Sequence, residues 1–439
     1  MALHDPLPEL RQRIDAAPMS RAQISAVAMT VILSALDGYD VLSVTFAAPA
    51  IALDWGIGKA ALGVVLSSGL AGMALGSILL APLADLHGRR KLVLLSLLLM
   101  AGGMLASAYA TTVGQLAAWR VVAGLGIGTC VAVITPLAAE FANARQRPLT
   151  MAMMAMGYPA GGLLGGLLAA SLLNTHGWEA VFLAGFIGTA ALIPLVWRFL
   201  PEPVSFLLSR PATVGLDRLN AGLRAFGQAS LDALPPAPPQ GAPRGLALVL
   251  GREQIGRTLT LAAVNVLFAA AAYFVLSWLP QLISDAGFPP ARASLASALA
   301  SAAGIVGGLS LGWIARSRAV DRMTAAAMTG LAVALFGFGL APASLGLLMA
   351  LAATLGFFLF AGVAGLYATI AARVAPEARA TASGLVIGLG RISSAVGPLL
   401  AGALFAAEWG RAGVTAAFAA CALAAAIVLL ITAKTETLA

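Results

Sequence analysis

The chain has 439 residues, 60% of them hydrophobic and only 10% charged, whereas soluble domains average about 45–50% apolar and about 25% charged residues. Such a composition excludes a water-soluble globular protein and replaces a count of soluble domains by a count of membrane spans. The net charge of +8 does not indicate a nucleic-acid partner, because the basic residues form no stripe and lie in short loops between apolar runs.

Residues 1–22 mix Asp5, Glu9 and Asp15 with Arg11, Arg13 and Arg21 and contain no short apolar core or small-residue cleavage site. They read as a cytoplasmic tail and not as a signal peptide. Runs long enough to cross a hydrocarbon core of about 30 Å follow near 23–52, 60–83, 92–111, 114–140, 148–173 and 179–199. A second set lies near 258–284, 291–315, 323–341, 344–372, 380–406 and 412–433. Lipid offers the backbone no hydrogen-bond partner, so each run is expected to be helical. The expected fold is an all-α integral membrane protein of twelve transmembrane helices, arranged as six-helix bundles over 23–199 and 258–433. The segment 200–257 contains Leu234-Pro235-Pro236-Ala237-Pro238-Pro239, which no helix interior accommodates, and reads as a semi-rigid cytoplasmic linker. Residues 434–439 form a short C-terminal tail.

With the N-terminus inside, the inner segments hold 21 of the 26 basic residues, the outer loops hold Lys59, Arg292 and Arg411, and the spans hold Arg120 and Arg391. This asymmetry predicts that both termini are cytoplasmic. Asp85 and Arg316 stand 231 positions apart and Arg147 and Arg379 stand 232 apart, each pair in corresponding places after matching spans. The nearly equal offsets imply duplicated halves, which in transporters are parallel repeats with the solute site at their interface.

Apart from helix ends, the acids within spans are Asp37 and Asp40 in the first run. An ionisable group at this depth costs at least about 2–3 kcal/mol and is a functional candidate by default. Spaced i and i+3, the two lie on one helical face, where burial and a like-charged neighbour each favour the protonated form of a carboxylate. Both are therefore proton-coupling candidates; the alternative is a permanently protonated pair that only holds helices together. Gly38 between them is expected to loosen the helix and expose carbonyls to a cavity. Arg391, beside Gly388 and Gly390, carries a planar fork that matches a carboxylate. It is the candidate anchor for an organic anion, the alternative being an ion pair with Asp37 or Asp40. Tyr39, Tyr158, Phe274, Trp278 and Tyr367 are candidates for the apolar wall around such a guest, against the alternative of helix packing or lipid contact. Glu140 ends the fourth run near Arg145 and Arg147 and is expected to form a salt-bridge latch. His4, His87, His176, Cys130 and Cys421 compose no metal, disulfide or catalytic constellation, so no enzyme activity, metal or cofactor is expected.

Several motifs carry a resemblance. Ala81-Pro82-Leu83-Ala84-Asp85-Leu86-His87-Gly88-Arg89-Arg90-Lys91 after the second run resembles the G-x-L-A-D-R-x-G-R-R signature of the major facilitator superfamily, with Ala81 and Leu86 departing from it. Arg120-Val121-Val122-Ala123-Gly124-Leu125-Gly126-Ile127-Gly128 is similar to that superfamily's R-x-x-x-G-x-G pattern. Asp37-Gly38-Tyr39-Asp40 resembles the D-G-x-D element of the aromatic acid/proton symporter family, and Ser277-Trp278-Leu279-Pro280, Arg379 to Gly384 and Gly388-Leu389-Gly390-Arg391 agree with it. Gly157-Tyr158-Pro159-Ala160-Gly161-Gly162 is similar to the G-P-x-x-G-G element of proton-linked exporters, but Tyr158 replaces a glycine and the pair after it is displaced; helix packing and a kink at Pro159 are expected there.

The resemblance implies a monomeric, multi-pass transporter of a bacterial inner membrane. It would import a small organic acid anion, of the benzoate or hydroxybenzoate kind, together with a proton, by alternating access and with the proton gradient as its energy source. The alternative is a proton-linked exporter of drugs or metabolites from the same superfamily. Asp85, Gly88, Arg89, Arg90, Arg120, Glu140 and Arg147 are then expected to serve conformational gating, since a carboxylate and a basic cluster at a helix end can latch helices together and release them.

Overall fold

Where the chain enters lipid, the only way to satisfy its backbone groups is internally, and the computed structural model shows helices throughout its apolar runs. It describes residues 13–209, 215–234, 252–314, 320–374 and 379–438. The prolines Pro235 to Pro239 and Arg316 lie outside the described residues, as does the side chain of Arg379.

Twelve described helices are long and apolar enough to cross a membrane. They are α1 Arg21–Trp55, α2 Lys59–Leu75, α3 Arg89–Ala108, α4 Val113–Phe141, α5 Arg147–Thr175 and α6 Glu179–Phe199, then α7 Arg252–Asp285, α8 Pro290–Ile314, α9 Val320–Leu340, α10 Leu345–Arg373, α11 Arg379–Ala406 and α12 Gly410–Leu438. Helix α2 continues through a wide π turn at Gly76–Leu80. Three helices overrun the apolar run that announced them: α1 starts at Arg21, α7 at Arg252 and α12 runs to Leu438. Hydropathy marks only the part inside lipid, while the i to i−4 ladder continues into water wherever a cap or favourable residues allow. At α1 the cap is reciprocal, Ser20 Oγ accepting from the Gln23 amide at 3.2 Å and Gln23 Oε1 accepting from the Ser20 amide at 2.9 Å.

The segment after α6 also contains structure that the reading as a linker did not anticipate. Leu216–Ala225 is an amphipathic helix whose Leu219 and Leu223 are buried. The signal was present in the i, i+4 spacing of those two leucines among Asp217, Arg218 and Arg224. The adjoining Phe226 ring lies 5.7 Å from Phe141 at the end of α4, which ties this segment to the first bundle.

Packing repeats under a shift of six helices. Helix α1 packs on α4, α5 and α6 as α7 packs on α10, α11 and α12, and α4 packs on α2 and α3 as α10 packs on α8 and α9. The two bundles meet through α2 on α11 and α5 on α8, which exchange under the same shift, and through α1 on α7. Glycines set the closest of these approaches. A side chain at Gly124 or Gly128 of α4 would strike the backbone of Gly69 and Met73 in α2, whereas Gly126, one position off that face, abuts Ser96 and Met100 of α3. The R-x-x-x-G-x-G pattern therefore serves two neighbours at once.

Even helix number places both described chain ends on one face, here the termini face. There Arg89 at the start of α3 forms an ion pair with Glu140 at the end of α4, and the Ser205 hydroxyl donates to the other Glu140 oxygen at 2.6 Å. Glu140 thus does not pair with Arg145 or Arg147 as expected. Arg147 instead meets Asp15 at 2.6 Å and donates from Nε to the Ala139 carbonyl at 3.1 Å, where a cation also suits the negative end of α4. Asp85 likewise does not latch neighbouring spans: among the described residues its exposed carboxylate pairs with Arg89 of its own segment alone, at 3.7 Å. The wide turn at Gly76–Leu80 and the break at Pro82 carry it off the packed face, and Glu140 is the acid that joins helices.

Gly88 has φ +104°, and any side chain there would press on the carboxylate of Glu202. That carboxylate accepts from the backbone amides of Arg89 and Arg90; burial pushes its carboxyl above the usual range while the two amides pull it back down. In the second bundle the corresponding place holds Asp321 at the start of α9 and Arg373 at the end of α10, 3.0 Å apart. The latch is repeated with its charges exchanged.

Gly124→Val should lower the melting temperature of the purified protein, since overpacking a close contact costs about 1–3 kcal/mol. Gly102→Val, which meets nothing within 4 Å, should leave it unchanged; equal effects of the two would refute the close-approach reading. For the termini-face latch, a double-mutant cycle of Arg89→Gln and Glu140→Gln on unfolding should yield a coupling of about 0.5–3 kcal/mol, and strictly additive losses would show that the pair does not couple α3 to α4.

Candidate functional site

Four successive residues of α1, Asp37, Gly38, Tyr39 and Asp40, are all buried. Gly38 does not loosen the helix, which runs unbroken from Arg21 to Trp55. It permits contact instead, because a side chain there would overlap the backbone of Tyr158 in α5. The two acids share a helix face but not an environment.

Asp40 is fully buried within the first bundle, where one carboxylate oxygen accepts from the Thr189 hydroxyl of α6 at 3.2 Å. Arg120 of α4 reaches the same place. Its Nη2 donates to the Asp40 main-chain carbonyl at 2.9 Å, its Nη1 lies 3.1 Å from Met104 Sδ, and its guanidinium sits 5.8 Å from the Phe182 ring centre. Arg120 is 1% exposed. A cation so deep in lipid needs a charge partner, and Asp40 is the acid that faces it. Arg120, expected among the gating residues, is thus the counter-charge of Asp40.

Asp37, one turn away, is 4% exposed and its Oδ1 has no hydrogen-bond partner. The charge it faces is Arg391 of α11 in the other bundle. Among the described residues no ion pair or side-chain hydrogen bond holds that guanidinium, and a cavity of about 120 Å³ opens beside it. Helices α7, α10 and α11 build the cavity, with Asn265, Tyr273, Tyr367, Arg391 and Ser394 as its polar lining and Phe268, Val363, Leu366, Ile370 and Ile387 among its apolar walls. Most of these lie toward the termini-face side of their helices, with Tyr273 and Ser394 just past the middle of theirs.

At the far face the bundles are closed. Lys59 at the start of α2 meets Asp285 at the end of α7 at 2.5 Å, and Gly63 of α2 lies against Gly402 and the Pro398 carbonyl of α11.

The expected aromatic wall is redistributed. Tyr367 lines the cavity and is 51% exposed. The Tyr158 hydroxyl is buried without a partner, in the electrostatic neighbourhood of Tyr273, Asp37 and Arg391, with its ring 6.2 Å from Phe360. Tyr39, Phe274 and Trp278 belong to the bundles and not to the cavity. The Tyr39 hydroxyl donates to the Val181 carbonyl at 2.6 Å; Phe274 stacks on Phe418 at 4.2 Å; Trp278 Nε1 donates to the Pro398 carbonyl at 3.1 Å. Each of the three braces two helices of one bundle, where its area is fully used.

Residues absent from the sequence-based set take their places. Tyr273 faces the same charges as Tyr158, and Asn265, whose Nδ2 donates to the Val386 carbonyl at 2.7 Å, lies flat against Gly390 beside Arg391. The available signal was Asn265 as an isolated amide in an apolar run; which face of α7 it occupies is settled only by packing. Chemically the site offers one fixed cation, several hydroxyl and amide groups and apolar walls, a set suited to an anion with a compact apolar body. Among the described residues no group of three or more His, Cys, Asp or Glu side chains is placed to hold a metal ion.

Comparison with known proteins places this arrangement in a family. Residues 30–398 match the Major Facilitator Superfamily. The chain is 31% identical over 399 residues to a gallate transporter of Pseudomonas putida, covering 90% of this chain and 88% of that one. It is 31% identical over 428 residues to a 4-hydroxybenzoate transporter of Pseudomonas aeruginosa, covering 95% and 94%. Among solved structures, a D-xylose-proton symporter superposes with a TM-score of 0.72 at 15% identity, over 92% of this chain and 97% of that one, a likeness of fold. This chain, with its twelve membrane-spanning helices, belongs to the Major Facilitator Superfamily, a family of membrane transporters and not of enzymes.

Proposed function

We propose that this protein is a proton-coupled symporter that imports a small aromatic carboxylate of the benzoate or hydroxybenzoate kind by alternating access. The observation that carries the reading is Arg391, a guanidinium in the cavity wall that no carboxylate among the described residues ion-pairs, facing Asp37 of the other bundle. An ionised Asp37 competes with an incoming anion for Arg391. Protonation of Asp37 removes that competitor and leaves Arg391 to the substrate carboxylate, so proton and anion enter together and the interface carries no unbalanced charge while the bundles rock. Asp40, Thr189 and Arg120 form the adjoining relay within the first bundle.

Three observations support the aromatic acid. Relatives sharing nearly the whole chain are named for gallate and 4-hydroxybenzoate. The cavity's apolar walls suit a ring, and Tyr273, Tyr367 and Asn265 suit ring hydroxyls. A space of about 120 Å³ is also well below the roughly 300–1,000 Å³ of drug-sized sites, which favours a small guest over the bulky cargo of a drug exporter. The bias of 21 inner against 3 outer basic residues supports cytoplasmic termini in a bacterial inner membrane, with 200–257 as the cytoplasmic connection between bundles. The unit that works is a monomer without a cofactor, driven by the proton gradient.

In proteoliposomes, 4-hydroxybenzoate uptake should rise with an imposed inward proton gradient. Accumulation confined to inside-out vesicles would instead identify an exporter. Asp37→Asn and Asp40→Asn should each lose uptake against a concentration gradient, and retention of it by either variant would remove that acid from proton coupling. Arg391→Ala should weaken substrate binding by about 30-fold or more, the usual consequence of truncating a desolvated charge contact; unchanged affinity would refute the anchor. Tyr273→Phe should raise KM about threefold to tenfold for hydroxylated acids and leave benzoate unaffected, as the loss of one hydrogen bond predicts.

A further inference from the structure

A second basic site lies away from the central cavity, at the termini face between α1, α3 and α6. Arg21 at the start of α1, Arg90 at the start of α3 and Arg198 at the end of α6 converge on one cavity of about 480 Å³, completed by Ala22, Ser25 and the Phe199-Leu200-Pro201 segment. Membrane topology requires positive charge near this face but does not require that arginines from three helices line one cavity, an arrangement that suits an anion.

Among the described residues no carboxylate lies within ion-pair distance of Arg21, Arg90 or Arg198. Arg90 spends one amino group on the Trp197 carbonyl, and Arg198 lies 5.3 Å from the Phe199 ring centre. Glu202 accepts from the backbone amides of Arg89 and Arg90 and acts electrostatically on both of those side chains, which leaves Arg21 and Arg198 as the cations of the cavity that it does not engage.

The surroundings identify the kind of anion. Ile24, Trp197 and Phe199 beside the cavity are 56%, 64% and 45% exposed, and they stand at the ends of spanning helices. A tryptophan and a phenylalanine at this level sit at the boundary between headgroups and acyl chains. A ligand with a phosphate at the arginines and acyl chains along these side chains satisfies both halves of the site, and Arg binds phosphate oxygens through its planar fork.

We infer that the Arg21, Arg90 and Arg198 cavity binds the phosphate headgroup of an anionic phospholipid. The lipid would bridge α1 to α3 and α6 from outside the bundle, next to the Arg89 and Glu140 latch but separate from the solute cavity.

The test is native mass spectrometry of the full chain in detergent supplemented with phosphatidylglycerol or phosphatidylcholine, with inorganic phosphate as a soluble control. The wild type should retain a phosphatidylglycerol that phosphatidylcholine and phosphate do not displace. The Arg21→Gln/Arg198→Gln variant should retain it about thirtyfold more weakly. Ser25→Asp keeps all three arginines and places a carboxylate in the cavity, so it should expel the same lipid; it serves if the double variant does not fold. Equal retention of phosphatidylglycerol by wild type and both variants would overturn the site, and displacement by inorganic phosphate would overturn its assignment to lipid.

Discussion

A charge inside a hydrocarbon layer must be neutralised by a proton, a partner or a ligand, and this constraint organises the interior of the protein. Among the described residues, four acidic or basic side chains lie deep within the spans: Asp37, Asp40, Arg120 and Arg391. Two of them, Asp40 and Arg120, face each other inside the first bundle, where Thr189 donates to one Asp40 oxygen and Ser43 and Met104 lie against Arg120. The other two face each other from different bundles, and Arg391 lines the cavity of the second. A charge settled within one bundle moves with it, whereas a charge shared across the interface changes its surroundings whenever the bundles move. The division between Asp40 and Asp37 is therefore one between a charge held within a single bundle and a charge that faces the other bundle.

The same separation appears at the faces. The termini-face pairs, Arg89 with Glu140 and Asp321 with Arg373, each hold two helices of one bundle together. The far-face pair, Lys59 with Asp285, joins the bundles, next to the contact of Gly63 with Gly402. Rigidity inside each bundle and a closed far face leave the cavity on the termini side of the closure. Rocking then requires the far-face contacts to break while the intra-bundle latches hold, the behaviour expected of rigid bodies moving about a fixed site.

The exchange of charges between the two latches also bears on the duplication. Arg89 and Glu140 correspond to Asp321 and Arg373, so the repeat conserves the position of an ion pair and not the sign at either end. An attraction between two side chains is unchanged when their charges are swapped, and a comparison of residue identities between the halves does not reveal it. The offsets of Asp85 with Arg316 and Arg147 with Arg379 pointed to the duplication, while the helix-by-helix repetition of contacts is what displays it.

Composition, run length and the distribution of arginine were enough to determine twelve helices, because lipid removes every alternative to an internally bonded backbone. Isolated charges in apolar runs were enough to mark Asp37, Asp40, Arg120 and Arg391, because burial in lipid is too costly to be incidental. Tertiary structure alone decided how these were matched. Positions i and i+3 suggested that Asp37 and Asp40 act on each other, and Asp40 is indeed among the charges that Asp37 faces, but packing adds Thr189 and Arg120 around the one and Arg391 opposite the other. Aromatic identity likewise did not separate Trp278 and Phe274, which brace helices, from Tyr273 and Tyr367, which line the cavity. Nearly every face of a membrane helix is apolar, so periodicity carries little information about which side meets protein, lipid or solute; that is set by the neighbours against which each helix packs.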